Sequence, residues 1–248
     1  MLAIYKKELR SYFTNPLGFV FVGIFLAVAA LIFSYTTFLS KTYDTSSYFL
    51  FMIFVLVLLL PLLTMRLFAE EKKLRTEQLL LTAPISLTGM VLGKFFAAFT
   101  MFFGCMLVSC INFIPLYAIA AAERGNLSYS TTYVGPVTAQ IVGSMIAIIL
   151  IGAAFIALGT LISTLTENQL AAAIITMAAI FGLIFTSLIS SFVPIVWIRT
   201  ALNWISVLGR FSNLSAGVFD ISAVVYYLSL TFVFLFLTVR VYEKRRWN

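Results

Sequence analysis

The chain contains no histidine and only two cysteines, and charged side chains make up 10% of its 248 residues. Without histidine it lacks the side chain that most often shuttles protons near neutral pH or ligates metals. Cys105 and Cys110 lie five apart in one apolar run, so on a helix they point in different directions. Neither a disulfide framework nor a metal site is expected from them. The shortage of charge decides the class. Soluble domains are about 25% charged and about 45–50% apolar, whereas 62% of this chain is apolar and its mean hydropathy is +1.08. So few charges cannot cover a water-facing surface, and the bilayer must act as solvent. Apolar runs longer than about 18 residues also exclude an outer-membrane barrel, whose strands are shorter and alternate.

Six runs are long enough to cross the bilayer: 17–39, 49–68, 91–121, 136–163, 170–192 and 221–242. Each reaches or exceeds the roughly 20 residues that span about 30 Å at 1.5 Å per residue. An all-α integral membrane protein with six transmembrane helices in a single domain, 1–248, is therefore expected. Pro16 suits the start of the first span, Pro61 predicts a kink in the second, and Pro115 predicts a bend near the outer end of the third. The first apolar run is too long for a signal-peptide core and is expected to stay in the mature protein.

The net charge of +7 does not point to nucleic acid, because the basic residues flank apolar runs. Twelve of the sixteen lysines and arginines fall on one side: Lys6, Lys7, Arg10, Arg66, Lys72, Lys73, Arg75, Lys94, Arg240, Lys244, Arg245 and Arg246. Lys41, Arg124, Arg199 and Arg210 fall on the other. The bias predicts that both termini face the cytoplasm. Within 1–15, Leu2, Tyr5, Leu9 and Phe13 recur at helical spacing. This reads as an amphipathic helix in the cytoplasmic interface or as a charged stub anchoring the first span. Lys244, Arg245, Arg246 and Trp247 read as a headgroup anchor.

The loop at 69–90 is the longest on the basic side. The pairs Glu70–Lys73 and Glu71–Arg75 predict a helix extending below the membrane. A short second helix, Glu77 to Leu81, is expected to stop before Pro84. Its Leu79, Leu80 and Leu81 form an apolar knob that either packs under the bundle or fits a groove on a soluble partner. At 166–169, Thr166 is expected to cap the fifth span with Gln169 reaching back, and Glu167 suits a helix N-terminus; a partner contact through Asn168 and its neighbours is the other reading.

Three stretches carry a family resemblance. The pattern Arg66-x-x-Ala69-Glu70-Glu71-x-x-x-x-Thr76-Glu77-x-Leu79-Leu80-x-x-x-Pro84 resembles the cytoplasmic loop of ABC-2 type transporter permeases. Residues 159–169, ending Leu165-Thr166-Glu167-Asn168-Gln169, are similar to a signature of the gliding-motility (GldF-like) subfamily, as is Arg210-Phe211 with Gly217-Val218-Phe219-Asp220. One departure is Lys73-Leu74-Arg75, where relatives often carry glycine before the Thr-Glu pair. The resemblance covers essentially the whole chain. It implies an ABC-2, type V exporter-like permease in a bacterial plasma (inner) membrane. It further implies a second permease chain, identical or homologous, a separate ABC ATPase dimer that binds ATP and Mg, and room for an auxiliary membrane or extracytoplasmic subunit. Glu70, Glu71, Arg75, Thr76, Glu77, Leu79, Leu80 and Pro84 would couple to the ATPase, and Thr166, Glu167, Asn168 and Gln169 would make a secondary contact.

Gly89 to Phe95 faintly echoes a phosphate loop, but its glycines are too close and no strand precedes it. With loops of about 25 residues, no nucleotide-binding domain fits in this chain. No cofactor and no catalytic residue are expected on it. The rival reading is a secondary transporter or channel. Such proteins bury ionisable relays mid-membrane, and none lies near the middle of an assigned span. Asn112 and Gln140 are expected to hydrogen-bond between helices. Gly143, Ala147, Gly152, Ala153, Ala157, Gly159 and Ala171 to Ala173 predict close internal packing of the later spans. Phe95, Phe96, Phe99, Phe102 and Phe103 are expected to face lipid or a partner chain. Residues 194–219, with Trp197 and Trp204, are expected to form a short re-entrant or interfacial helix pair, or an aromatic-belt helix.

Overall fold

A computed structural model describes residues 1–76, 86–126 and 135–247. Among them are eleven α-helices and no strand. These are α1 (Leu2–Thr14), α2 (Pro16–Phe33), α3 (Ser46–Thr64), α4 (Arg66–Lys73), α5 (Leu87–Ser109), α6 (Phe113–Asn126), α7 (Thr138–Leu165), α8 (Gln169–Phe192), α9 (Val196–Ile205), α10 (Val207–Ser215) and α11 (Ile221–Trp247). Six helical stretches, led by α2, α3, α5, α7, α8 and α11, are long and apolar enough to cross a membrane. The protein is a multi-pass membrane protein.

Each helix begins or bends for a local reason. Pro16 is the first residue of α2, where its missing N–H costs nothing. Gly18 then lets α2 fold back on α1, because a Cβ there would stand 2.0 Å from the Tyr12 carbonyl oxygen. Pro61 sits inside a continuous α3, and the break falls at Met65, between Thr64 and Arg66. The third span is interrupted by a 3₁₀ turn, Cys110–Asn112. It lies just before Pro115, whose ring clashes with the carbonyl four residues earlier in a regular helix. Observed helix ends extend beyond several expected spans: α3 starts at Ser46, α5 at Leu87, and α11 runs on to Trp247.

In lipid, apolar surface gains little by turning inward, so close backbone approach and polar ties must hold the helices together. α7 is the hub, with 67% of its most apolar window buried against 28% for α2 and for α8. Its small residues take neighbours at short range. A Cβ on Gly143 would meet the Leu214 carbonyl oxygen of α10 at 2.4 Å, one on Gly152 the Phe102 ring of α5 at 2.2 Å, and one on Gly159 Thr64 Oγ1 of α3 at 2.3 Å. The expected internal packing of the small residues is found. The phenylalanines of α5 divide: Phe95 and Phe102 are buried and only Phe96 among the five is exposed. Gly152 makes the space that draws Phe102 inward.

The two ends of the bundle differ. At one end lie α1, α4 and the last turns of α7 and α11, where the Phe68 ring rests 5.2 Å from Tyr242. We call this the basic end. At the other end the Gln140 amide donates to Ser46 Oγ at 2.5 Å and Asp44 Oδ1 at 3.0 Å, tying α7 to the start of α3. α9 and α10 form the expected helix pair there. They are held to α11 by the Tyr226 and Tyr227 hydroxyls, which donate to the Ile205 and Val207 carbonyls at 2.6 and 2.7 Å. Trp197 and Trp204, seven apart and so on one face of α9, are 88% and 70% exposed.

Candidate functional site

The basic end is organised around α4. A helix start leaves backbone donors to be satisfied, and here α7 supplies the acceptor. Ser163 Oγ accepts from the Phe68 and Ala69 amides, each at 3.1 Å, and donates to the Met65 carbonyl at 3.2 Å. One turn earlier Gly159 brings α7 against Thr64. One residue later the Thr164 carbonyl accepts from Lys72 Nζ and, at 2.8 Å, from Arg245. Cations suit that position, because carbonyls at a helix C-terminus carry partial negative charge. Ala172 and Ala173 of α8 close the seat against Met65 and Ala69.

The opposite flank of α4 holds a buried cluster of charge. Lys94 is 1% exposed. Its Nζ lies 2.8 Å from Glu71 Oε1 and 3.3 Å from Glu8 Oε1, and it donates to the Leu67 carbonyl at 2.5 Å. Three donors thus meet three acceptors, with the Phe68 ring 4.9 Å away. Lys7 joins from the rim, 3.4 Å from both carboxylates. Two cations and two anions balance. Burial pulls the Lys7 ammonium down, but Glu8 and Glu71 outweigh it and hold its pKa above the ordinary value. A second polar tie lies beside the first. Arg66 donates to Ser11 Oγ at 2.7 Å, sits 5.4 Å from the Tyr12 ring and approaches Glu70 at 3.5 Å. The Tyr12 hydroxyl donates to the Leu63 carbonyl at 3.0 Å, and burial raises its pKa.

α4 ends in a paired-carbonyl cap. The Thr76 amide bonds to the Glu71 carbonyl at 2.9 Å and the Arg75 amide to the Lys72 carbonyl at 3.0 Å. This Schellman arrangement needs a left-handed residue, and Arg75 supplies it at φ 56°.

The sequence-derived site residues distribute as follows. Glu70, Glu71, Arg75 and Thr76 lie on or at the end of α4. Thr166, Glu167 and Asn168 form the turn between α7 and α8, and Gln169 is the first residue of α8, directly after the residues that seat α4. Glu77, Leu79, Leu80 and Pro84, and with them the expected short helix, lie outside the described residues. Three local expectations are corrected. Glu71 turns inward to Lys94 and not to Arg75, because Arg75 has left the helix. Glu70 pairs with Arg66, a turn earlier, and not with Lys73. α8 is capped by Asn168, whose Oδ1 accepts from the Leu170 amide at 3.0 Å, while Thr166 donates back to the Ile162 carbonyl.

Lys94, Glu8, Ser163, Arg66 and Tyr12 are not among the site residues expected from sequence, where Arg66 and Lys94 count only among the basic flank and Arg66 also opens the family pattern. Lys94 stands alone in the apolar stretch Leu87–Ser109, and Glu8 is the only acid before Asp44; two isolated opposite charges facing apolar surroundings were the available signal. The apparent phosphate loop is helical throughout. Gly89 and Gly93 admit α1, with Met1 and Ile4 over them.

Neither a protein-family model nor a curated protein matches the chain.

Proposed function

We propose that the chain is the transmembrane permease subunit of an ABC-2 type ATP-binding cassette exporter in a bacterial inner membrane, working with a second permease chain and driven by a separate ATPase dimer. The observation that carries this reading is the seating of α4. It emerges from α3 at the basic end and is tied to α7 through Ser163, to α5 and α1 through Lys94, and to α8 through Ala172 and Ala173. A push on the chain beyond Thr76 therefore moves five helices as a unit. That is the coupling a pump needs when its fuel is hydrolysed on another polypeptide. The basic end is then cytoplasmic, as its lysines and arginines favour. An apolar trough of about 510 Å³ between α3 and α8, lined by Phe54, Leu58, Met177 and Phe181 among others, is the surface assigned to the second chain.

The ionic cluster does not favour a gradient-driven transporter. It lies at the end of the bundle, its four charges balance, and Lys94 is fully bonded.

The test replaces Leu79 and Leu80 together by aspartate. The tagged wild-type chain should copurify with a nucleotide-hydrolysing partner, and the double variant should bind it at least about 30-fold more weakly, the loss expected when an apolar anchor worth about 2 kcal/mol is removed. Unchanged copurification and unchanged ATP-dependent export would refute the assignment. So would cargo movement by the isolated chain on an ion gradient alone.

A further inference from the structure

A groove of about 430 Å³ opens sideways where α1 crosses α2 and α5, lined by Leu9, Phe13, Val22, Leu26, Met101 and Gly104 among others. Its size is that of pockets holding small ligands, about 300–1,000 Å³. Gly104 leaves its floor smooth, since nothing lies within 4 Å of where a Cβ would stand. The rim is cationic. On α1, Leu2, Lys6, Leu9 and Phe13 follow at i, i+4, i+7 and i+11 and form one stripe, with Leu2 67% and Phe13 53% exposed. Lys6 precedes the groove residue Leu9 by one turn, and Arg10 precedes Phe13 by one turn. Both are exposed, and among the described residues neither has a carboxylate partner. The one acid of α1, Glu8, is turned the other way, onto Lys7 and Lys94. An apolar slot thus lies beside two uncompensated cations.

We infer that this groove binds one anionic phospholipid, its acyl chain in the slot and its phosphate on Lys6 and Arg10. A zwitterionic lipid or a detergent tail fills the slot equally well but leaves the cations facing no net negative charge. The site belongs to α1, α2 and α5 and requires only that the protein sit in a membrane, so it stands apart from any ATPase.

The experiment is native mass spectrometry of the delipidated full chain titrated with phosphatidylglycerol or phosphatidylethanolamine. The wild type should take up one phosphatidylglycerol with about 10- to 30-fold preference, the contribution of two interfacial cations. Lys6→Gln with Arg10→Gln, two exposed changes that leave packing untouched, should bring the preference close to unity. Gly104→Leu should weaken both lipids, while Gly182→Leu, at a glycine on α8 that is also open, should weaken neither. Equal retention of the two lipids by the wild type, or an unchanged preference in the double glutamine variant, overturns the proposal. Full binding by Gly104→Leu would place the lipid elsewhere and overturn it as well.

Discussion

Lys94 on α5 and Glu71 on α4 meet at 2.8 Å in an interior that leaves the lysine 1% exposed. The same ammonium reaches Glu8 on α1 at 3.3 Å. One side chain therefore joins three segments that are 63 and 23 residues apart in the chain, as the differences between 8, 71 and 94 show. A buried ion pair adds little net stability over well-packed apolar groups, but each member depends on the others.

Lys94→Met is accordingly expected to destabilise the protein by about 3–5 kcal/mol, because Glu8 and Glu71 lose their buried partner and are left to share the single rim cation Lys7, which is 3.4 Å from each. Adding Glu8→Gln and Glu71→Gln to Lys94→Met should recover most of the loss. Thermal unfolding in detergent measures it. A single variant as stable as the wild type would show that the cluster is not closed in the membrane.

Ser163→Ala removes the acceptor of two α4 amides and the donor to Met65. Unmet buried donors cost about 1–3 kcal/mol each set. The expected result is faster hydrogen exchange at Phe68 and Ala69 with exchange in α8 unchanged. Ser163→Thr keeps the hydroxyl and should exchange nearer the wild-type rate.

Gly143→Ala places a methyl 2.4 Å from the backbone carbonyl oxygen of Leu214, which no rotamer change can relieve. Overpacking of this kind costs about 1–3 kcal/mol. α10 should lift from α7, read as increased proteolysis or exchange across Val207–Ser215. Gly23→Ala, where nothing lies within 4 Å, is the matched control and should be near neutral.

The six spans, the helix pair at 194–219 and the internal packing of Gly143, Gly152 and Gly159 were legible because each follows from local composition. Hydropathy needs only a window, and small residues matter wherever helices touch. The seat of α4 was not legible, because it joins residues distant in the chain. Glu71 has Arg75 four residues away, the partner that helical spacing proposes. Its real partner became visible only once α5 had folded alongside. Asn168 displaced Thr166 as the cap for a related reason: α7 continues through Leu165, so the turn has fewer residues than its polar run suggested.

Arg75→Gly should stabilise the end of α4. At φ 56° an L side chain costs about 1–2 kcal/mol, which glycine does not incur, although glycine loses more entropy on folding. A net gain of about 0.5–1 kcal/mol is expected, seen as slower exchange of the Thr76 amide bonded to Glu71. Faster exchange there would mean that the arginine side chain contributes something the backbone angle does not reveal.

The last prediction concerns pH at the opposite end. Asp220 precedes α11, accepting from the Ser222 amide at 2.9 Å on one oxygen and from the Asn213 amide group at 3.3 Å on the other. The Asn213 bond first, and the Ser222 amide next, hold its pKa below the ordinary carboxylate value of 3.8. A depressed acid contributes stability above its unfolded value and loses it as pH falls through the folded one. Neutral and mildly acidic solutions should therefore leave the link between α10 and α11 intact, and the loss should begin only below about pH 5. Asp220→Asn keeps a capping oxygen but has no proton to gain. Every other acid titrates alike in the two proteins, so the difference between their unfolding-versus-pH curves isolates this one group. That difference should be flat from pH 7 to about pH 5 and then narrow as the wild type loses its advantage. Curves that stay parallel to pH 3 would mean that the carboxylate charge does not hold α10 to α11.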